Sequence, residues 1–325
     1  MRLFLLIVCC ITATAIHALV NDPPIQLVPL DSIVAGDPFI FKDLKSGLYI
    51  MVGTTRPKGC LWISSDLSMW QGPVKYLNWD DSSWIGTSPS IWAPEIHEYN
   101  GNYYCFVTFT NKKKTHGEVN GRKLPYRNTY ILESDNPMGP YKEFCSNIFL
   151  DSTKCIIDGT LWVEPDGTPY MVYSYEWIQA VDGRIEAVKL DKKLKNKNGY
   201  PLELFRASNG KWKNNQVAEA PFLFRTKSGR LGMLWSTWSS IGYTQGVAYS
   251  ESGKIIGPWI QESEPLTPCG FGHGMLFRTF EGKLLLVCHG WRHDKNGRRT
   301  TRFPVLYEVE DSDKLILTNR YIPKI

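Results

Sequence analysis

Three carboxylates hold comparable places in this chain of 325 residues: Asp37 in Gly36-Asp37-Pro38, Asp158 in Ile157-Asp158-Gly159, and Glu219 in Val217-Ala218-Glu219-Ala220-Pro221. Each stands at or beside the start of a short apolar run. Proline disfavours helical backbone in the residue before it, so Pro38 predicts an extended Asp37 with a defined direction. Taken singly, an Asp-Pro or Asp-Gly pair is an ordinary turn. Glu219 is harder to read that way, because a charge entering an apolar strand without a partner is costly. Two carboxyls flanking a sugar linkage are the usual equipment for glycoside hydrolysis. One is ionised and activates water; the other is protonated and hands its proton to the leaving oxygen. A third carboxylate nearby raises the pKa of the acid by like-charge repulsion.

For acids so far apart in the chain to share a pocket, the elements carrying them must be repeated. They are. Asp37, Ala93, Asp158, Ala220 and His273 each open a first strand, followed by a Gly-containing turn and a second, more apolar strand, with gaps of 56, 65, 62 and 53 residues. Further period-2 segments bounded by Gly, Pro, Asp and Ser follow in each unit, as in Cys60-Leu61-Trp62-Ile63-Ser64 and Gly246-Val247-Ala248-Tyr249-Ser250. No stretch carries a sustained helical period. Repeats of this length built from several strands predict an all-β, five-bladed β-propeller occupying residues 21–325 as one domain. In that fold the first strand of each blade lines the axis, so Asp37, Asp158, Glu219 and His273 converge on one mouth.

These blade-start motifs resemble those of glycoside hydrolase family 43: Ala35-Gly36-Asp37-Pro38-Phe39, Trp92-Ala93-Pro94-Glu95-Ile96, Ile157-Asp158-Gly159-Thr160-Leu161 and Glu219-Ala220-Pro221. The resemblance covers nearly the whole chain after its first residues and includes the order of all three acids. It implies a five-bladed propeller that hydrolyses glycosides with inversion, Asp37 as general base, Glu219 as general acid, and Asp158 as the residue that tunes and orients the acid. Gly159 departs from the family, where proline is more usual. The implied activity is exo-acting release of terminal α-L-arabinofuranosyl groups from arabinan, arabinoxylan or a related plant cell-wall polysaccharide. β-D-Xylosidase, galactosidase or galactofuranosidase activity, and a non-catalytic carbohydrate-binding propeller, are the alternatives. No cofactor is required. In many relatives a histidine at the place of His273 lies near a calcium ion or water cluster on the axis; since calcium favours oxygen ligands, a lone imidazole would need water around the ion.

Other residues fit a sugar site. Trp92 is a candidate wall for the pocket, and Arg299 or Arg302 a candidate guanidinium for sugar hydroxyls. Aromatic residues make up 13% of the chain, with 12 tryptophans, which suits strand-built cores and sugar-stacking clefts. The formal net charge is +5. Lys112-Lys113-Lys114 has no aromatic interleaving or nucleic-acid motif, and reads as a solvated loop.

Met1-Arg2, an apolar run over residues 3–11 and small residues after it read as a signal peptide over 1–18, too short to span a bilayer. A secreted or periplasmic protein with no membrane span is expected. A lipid anchor on Cys9 is disfavoured by the bulk of Val8. No Cys-x-x-Cys occurs, which argues against a zinc site. Cys105 and Cys288 read as buried thiols, and Cys145 and Cys155 are close enough in sequence to pair in an oxidising compartment.

Overall fold

The structure is a computed structural model that describes residues 24–144, 150–240 and 242–323. The expected signal peptide and Cys145, half of the expected disulfide, lie outside the described residues. The chain forms five sheets arranged as the blades of a propeller, antiparallel but for the short outer strand Leu77–Asn78 of blade two, which pairs in parallel. The inner strands are Ala35–Asp43, Ser90–Tyr99, Ile156–Val163, Glu219–Arg225 and Gly272–Arg278. Each is the first strand of its meander, apart from a short outer strand added to blades one and two, Gln26–Pro29 and Leu77–Asn78. Among the described residues, one α-helical turn, Trp177–Ala180, and two 3-10 turns, Leu30–Ser32 and Ala207–Asn209, depart from the all-strand expectation. Cys105 and Cys288 are both fully buried, as expected.

Apolar packing lies between blades. One cluster joins Ile40, Val52 and Trp70 of blade one to Tyr103 and Phe109 of blade two and to Phe277 and Leu285 of blade five. Each such side chain contributes about 1.5–3 kcal/mol when fully buried.

The inner strands share a local device. Asp37, Ala93, Asp158, Ala220 and His273 have φ values of 53, 42, 54, 57 and 51°. In each blade the register to the second strand shifts across this residue. These are β-bulges, which bend a strand and re-aim its side chains. Left-handed backbone is uncommon outside glycine, and its recurrence at all five blade starts marks a constrained site. Asp37 is therefore not extended as Pro38 predicts. The bulge that every blade makes there overrides the local preference.

The bulges are tied together around the ring. The backbone N–H of Ala93 donates to Thr54 Oγ1 (3.0 Å), that of Asp158 to Thr108 Oγ1 (3.0 Å), and that of His273 to Ser236 Oγ (2.9 Å). Each acceptor stands on the second strand of the preceding blade, directly before the bulge in the register. In blade five the equivalent residue is His289, whose Nδ1 accepts the Asp37 N–H at 3.1 Å. This bond crosses from the last blade to the first. Among the described residues, no strand of blade one joins the sheet of blade five. Side chains and packing close the ring: Lys42 Nζ donates to the Thr279 carbonyl, Tyr49 Oη accepts the Phe280 N–H, and Arg292 reaches the Asp31 carbonyl.

The second and third strands of blade two, Asn102–Val119 and Arg122–Ser134, run on as a hairpin arm. Lys112, Lys113 and Lys114 lie on this arm and are exposed. The reading of that stretch as a loop is corrected: the ladder resumes beyond them at Thr115↔Pro125, after a register shift.

Candidate active site

Asp37 is 7% exposed and surrounded by donors. Arg302 Nη1 lies 2.6 Å from its Oδ1, with His273 Nδ1 at 3.2 Å and His289 Nδ1 at 3.3 Å from the same oxygen. Thr54 Oγ1 donates to Oδ2 at 2.6 Å. Burial alone would raise the carboxyl, but the Arg302 charge and then His273 outweigh it and hold Asp37 well below the usual carboxylate range. With Nδ1 of His289 accepting the backbone N–H, that ring is neutral and carries its proton on Nε2. Burial pushes both imidazoles down, His273 to about 4. Gly36 makes room for the arginine, since a Cβ there would stand 2.2 Å from the Arg302 guanidinium carbon.

Glu219 precedes the bulge residue of blade four. Tyr243 Oη donates to its Oε1 at 2.5 Å. Burial raises the Glu219 carboxyl most; the Tyr243 bond opposes this and the Asp37 charge adds to it, with a result of about 7. Tyr243 itself stays protonated, pushed well up by burial and by the Glu219 charge. Its ring lies on His289 with centroids 5.5 Å apart and planes 12° from parallel. The phenol on Glu219 and the imidazole on Asp37 thus stack on each other, which fixes the two carboxyls relative to one another.

Asp158 is 6% exposed, and its Oδ2 accepts the Ala220 N–H at 3.1 Å. Burial, then the charges of Glu219 and Asp37, push it well above the usual range. A protonated Asp158 supports Glu219 by anchoring the next residue. The charge that raises Glu219 is that of Asp37, with Glu176 adding to it. The Gly159 departure has a local cause: its N–H donates to Thr129 Oγ1 at 3.2 Å, a bond proline cannot make, and a Cβ would meet Thr129 Cγ2 at 2.5 Å.

Beside Asp37 opens a cavity of about 350 Å³ with Trp92 and Trp291 among its walls and Arg302 and Gly36 near its floor. Arg127 stacks on Trp92 at 4.1 Å from the ring centroid and pairs with Glu176 through Nη1 at 2.9 and 3.1 Å. Arg299 is exposed and lies 4.4 Å from the Trp238 centroid and 5.2 Å from that of Trp291. Of the two candidate arginines, Arg302 joins the carboxylates and Arg299 lies over two indoles.

On the axis below, His273 and Glu95 share a small cavity with Phe39, Phe222 and Met275. Glu95 is paired with His97 at 2.9 Å. Among the described residues, no group of three His, Cys, Asp or Glu side chains could hold a metal ion. This donor set is too sparse for an oxygen cage.

A buried, ionised carboxylate and a second held near 7, beside a cleft lined by the Gly36, Thr54 and Arg302 that flank Asp37, are the parts of a glycosidase. The sequence profile described as glycosyl hydrolases family 43 matches residues 28–314. The chain belongs to glycosyl hydrolases family 43. It is a glycoside hydrolase, and its relatives include arabinanases of both endo and exo type. The extracellular endo-α-(1→5)-L-arabinanase 1 of Bacillus subtilis (strain 168) is 24% identical over 239 residues, covering 70% of this chain and 68% of that protein. An endo-arabinase from Bacteroides thetaiotaomicron VPI-5482 shares the fold with a TM-score of 0.77 and 31% identity, over 88% of this chain and 98% of that one. An exo-1,5-α-L-arabinanase from a bovine ruminal metagenomic library superposes with a TM-score of 0.63 at 20% identity, over 88% and 97% of the two chains.

Among the residues around the three carboxylates, sequence reasoning passed over Tyr243, His289, Thr54 and the Arg127–Glu176 pair. A signal existed for two of them. Thr54, Thr108, Ser174, Ser236 and His289 follow the five bulge residues by 15 to 17 positions. A histidine among four hydroxyls marks the blade where the pattern changes. Tyr243 and Arg127 stand on later strands, with no periodic cue pointing at the mouth.

Proposed function

We propose that this protein hydrolyses α-1,5-linked L-arabinan with inversion, outside the cell. The observation that carries the reading is the division of labour between Asp37, held ionised, and Glu219, held up to about 7. Water attacks the anomeric carbon and Asp37 takes its proton. Glu219 gives its own proton to the departing glycosidic oxygen. The products are a sugar with inverted anomeric configuration and a shortened chain. Asp158 holds the strand behind Glu219, and Trp92 and Trp291 offer flat faces to sugar rings. A cation on the axis would have His273 as its side-chain ligand and would take the rest of its shell from water; metal analysis of the purified protein checks for one.

Cleavage inside the chain is favoured by the endo type of the Bacillus subtilis arabinanase and of the Bacteroides endo-arabinase at 31% identity. The exo-acting release of terminal α-L-arabinofuranosyl groups that the motifs imply is the second reading, supported by the exo-arabinanase of the same fold. Linear arabinan separates them: internal cleavage yields a ladder of oligosaccharides at once, terminal cleavage arabinose or one short product alone. Secretion is supported by the extracellular Bacillus relative and by the signal-like N-terminus. No described helix is long and apolar enough to cross a membrane.

Proton NMR of the first-formed reducing end is expected to show the β anomer from an α-linked substrate. An α anomer as the first product would refute inversion. Tyr243→Phe is expected to shift the alkaline limb of the pH–rate profile upward. The phenol stabilises ionised Glu219, so removing it raises the pKa of the acid. An unmoved or lowered limb would show that Tyr243 does not act through Glu219.

A further inference from the structure

One wall of the cleft carries charge of a single sign. Arg56 and Lys58 follow the second strand of blade one and line the cavity that also holds Trp92, Trp291 and Arg302. The arm of blade two brings Lys112 against Lys58. All three cations are exposed. Contact with Lys112, then partial burial, then the charges of Lys112 and Arg56 hold the Lys58 ammonium below its usual range, and no carboxylate counters them. Two exposed cations elsewhere on this surface do have acidic partners: Arg206 meets Glu203 and Lys283 meets Glu308. Like charges held together beside a binding cleft repel one another until an anion arrives, and such a patch draws anionic ligands in. A purely neutral glycan would leave that repulsion in place.

We propose that Arg56, Lys58 and Lys112 form a subsite for carboxylates of an acidic polysaccharide, so that the preferred substrate is arabinan joined to uronic-acid sugars. This rests on the arabinan reading. The cations come from two segments, residues 56–58 and the blade-two arm, and lie along the cleft wall that a glycan carrying several carboxylates would follow.

The test compares kcat/KM on linear neutral arabinan with that on arabinan still attached to a galacturonate-rich backbone. In about 20 mM salt the acidic substrate should be favoured by about 5- to 10-fold, and the ratio should fall towards one at about 500 mM as screening removes exposed charge contacts. In the double variant Lys58→Gln/Lys112→Gln the ratio should already lie near one at low salt, whatever the rate on neutral arabinan. A wild-type ratio that ignores salt, or a ratio unchanged in the variant, overturns the proposal. If neutral arabinan is not cleaved at all, the arabinan reading fails instead. Calorimetry with galacturonate oligomers still decides the subsite: binding by the wild type that is lost in the variant supports it, and no binding sinks it. Equal affinity for a sulfated glycan of the same length would overturn the assignment to carboxylates.

Discussion

Asp37→Asn is expected to lower kcat on arabinan by about 10³–10⁴-fold, with KM changed far less. Asparagine keeps the shape of the side chain but cannot take a proton from water, whatever the leaving group. The loss should therefore be the same on arabinan and on an aryl arabinoside with an activated leaving group. Part of the change is structural, since Arg302 loses its carboxylate at 2.6 Å. Circular dichroism and thermal melting separate the two: a folded, inactive variant supports the role of base. Azide added to Asp37→Ala should restore turnover by attacking in the place of water, with a glycosyl azide as product. An Asp37→Asn enzyme that keeps more than about a tenth of the wild-type rate would remove Asp37 from the proposed mechanism.

Glu219→Gln is expected to divide substrates by leaving group. On arabinan, whose leaving alkoxide needs a proton, the rate should drop by about 10³-fold or more; with a dinitrophenyl leaving group, which departs unaided, it should drop by less than about tenfold. The wild-type pH profile carries the same signature. Glu219 must be protonated, so activity is present below its value of about 7 and is lost as pH rises through it. Asp37 must be ionised, and because its carboxyl is held well below the ordinary range the acid limb lies at low pH. The variant should lose the alkaline limb. Near-normal rates on arabinan with Glu219→Gln would mean that another group is the acid.

Much of this architecture was legible in the sequence because it repeats. The five residues taken as blade starts all adopt φ near +50°. Carboxylates at equivalent places in a closed ring must meet at its mouth. Register within a blade was less legible. Lys112, Lys113 and Lys114 have no apolar alternation to reveal a strand, yet the arm extends through them because its partner strand continues. The direction of Asp37 was misjudged, because a rule about one dipeptide cannot see the bulge that the whole ring imposes. The shift on Asp158 was also hidden: its proton depends on which charges surround it, and sequence order does not say that Asp37 stands between Arg302 and two imidazoles.

The ring seam gives the base an assembly date. Asp37 lies near one end of the chain, while Arg302, His273 and His289 all belong to blade five, with 265 residues between Asp37 and Arg302. Contacts of such long range form late, because loop closure must precede them. A chain with four blades in place holds an Asp37 that lacks the cation and imidazoles depressing its pKa, and a Glu219 without the Tyr243–His289 stack behind it. Catalytic competence therefore arrives with the last blade. During refolding, hydrolysis should lag behind the gain of strand signal, and its onset serves as a clock for the docking of blade five against blade one.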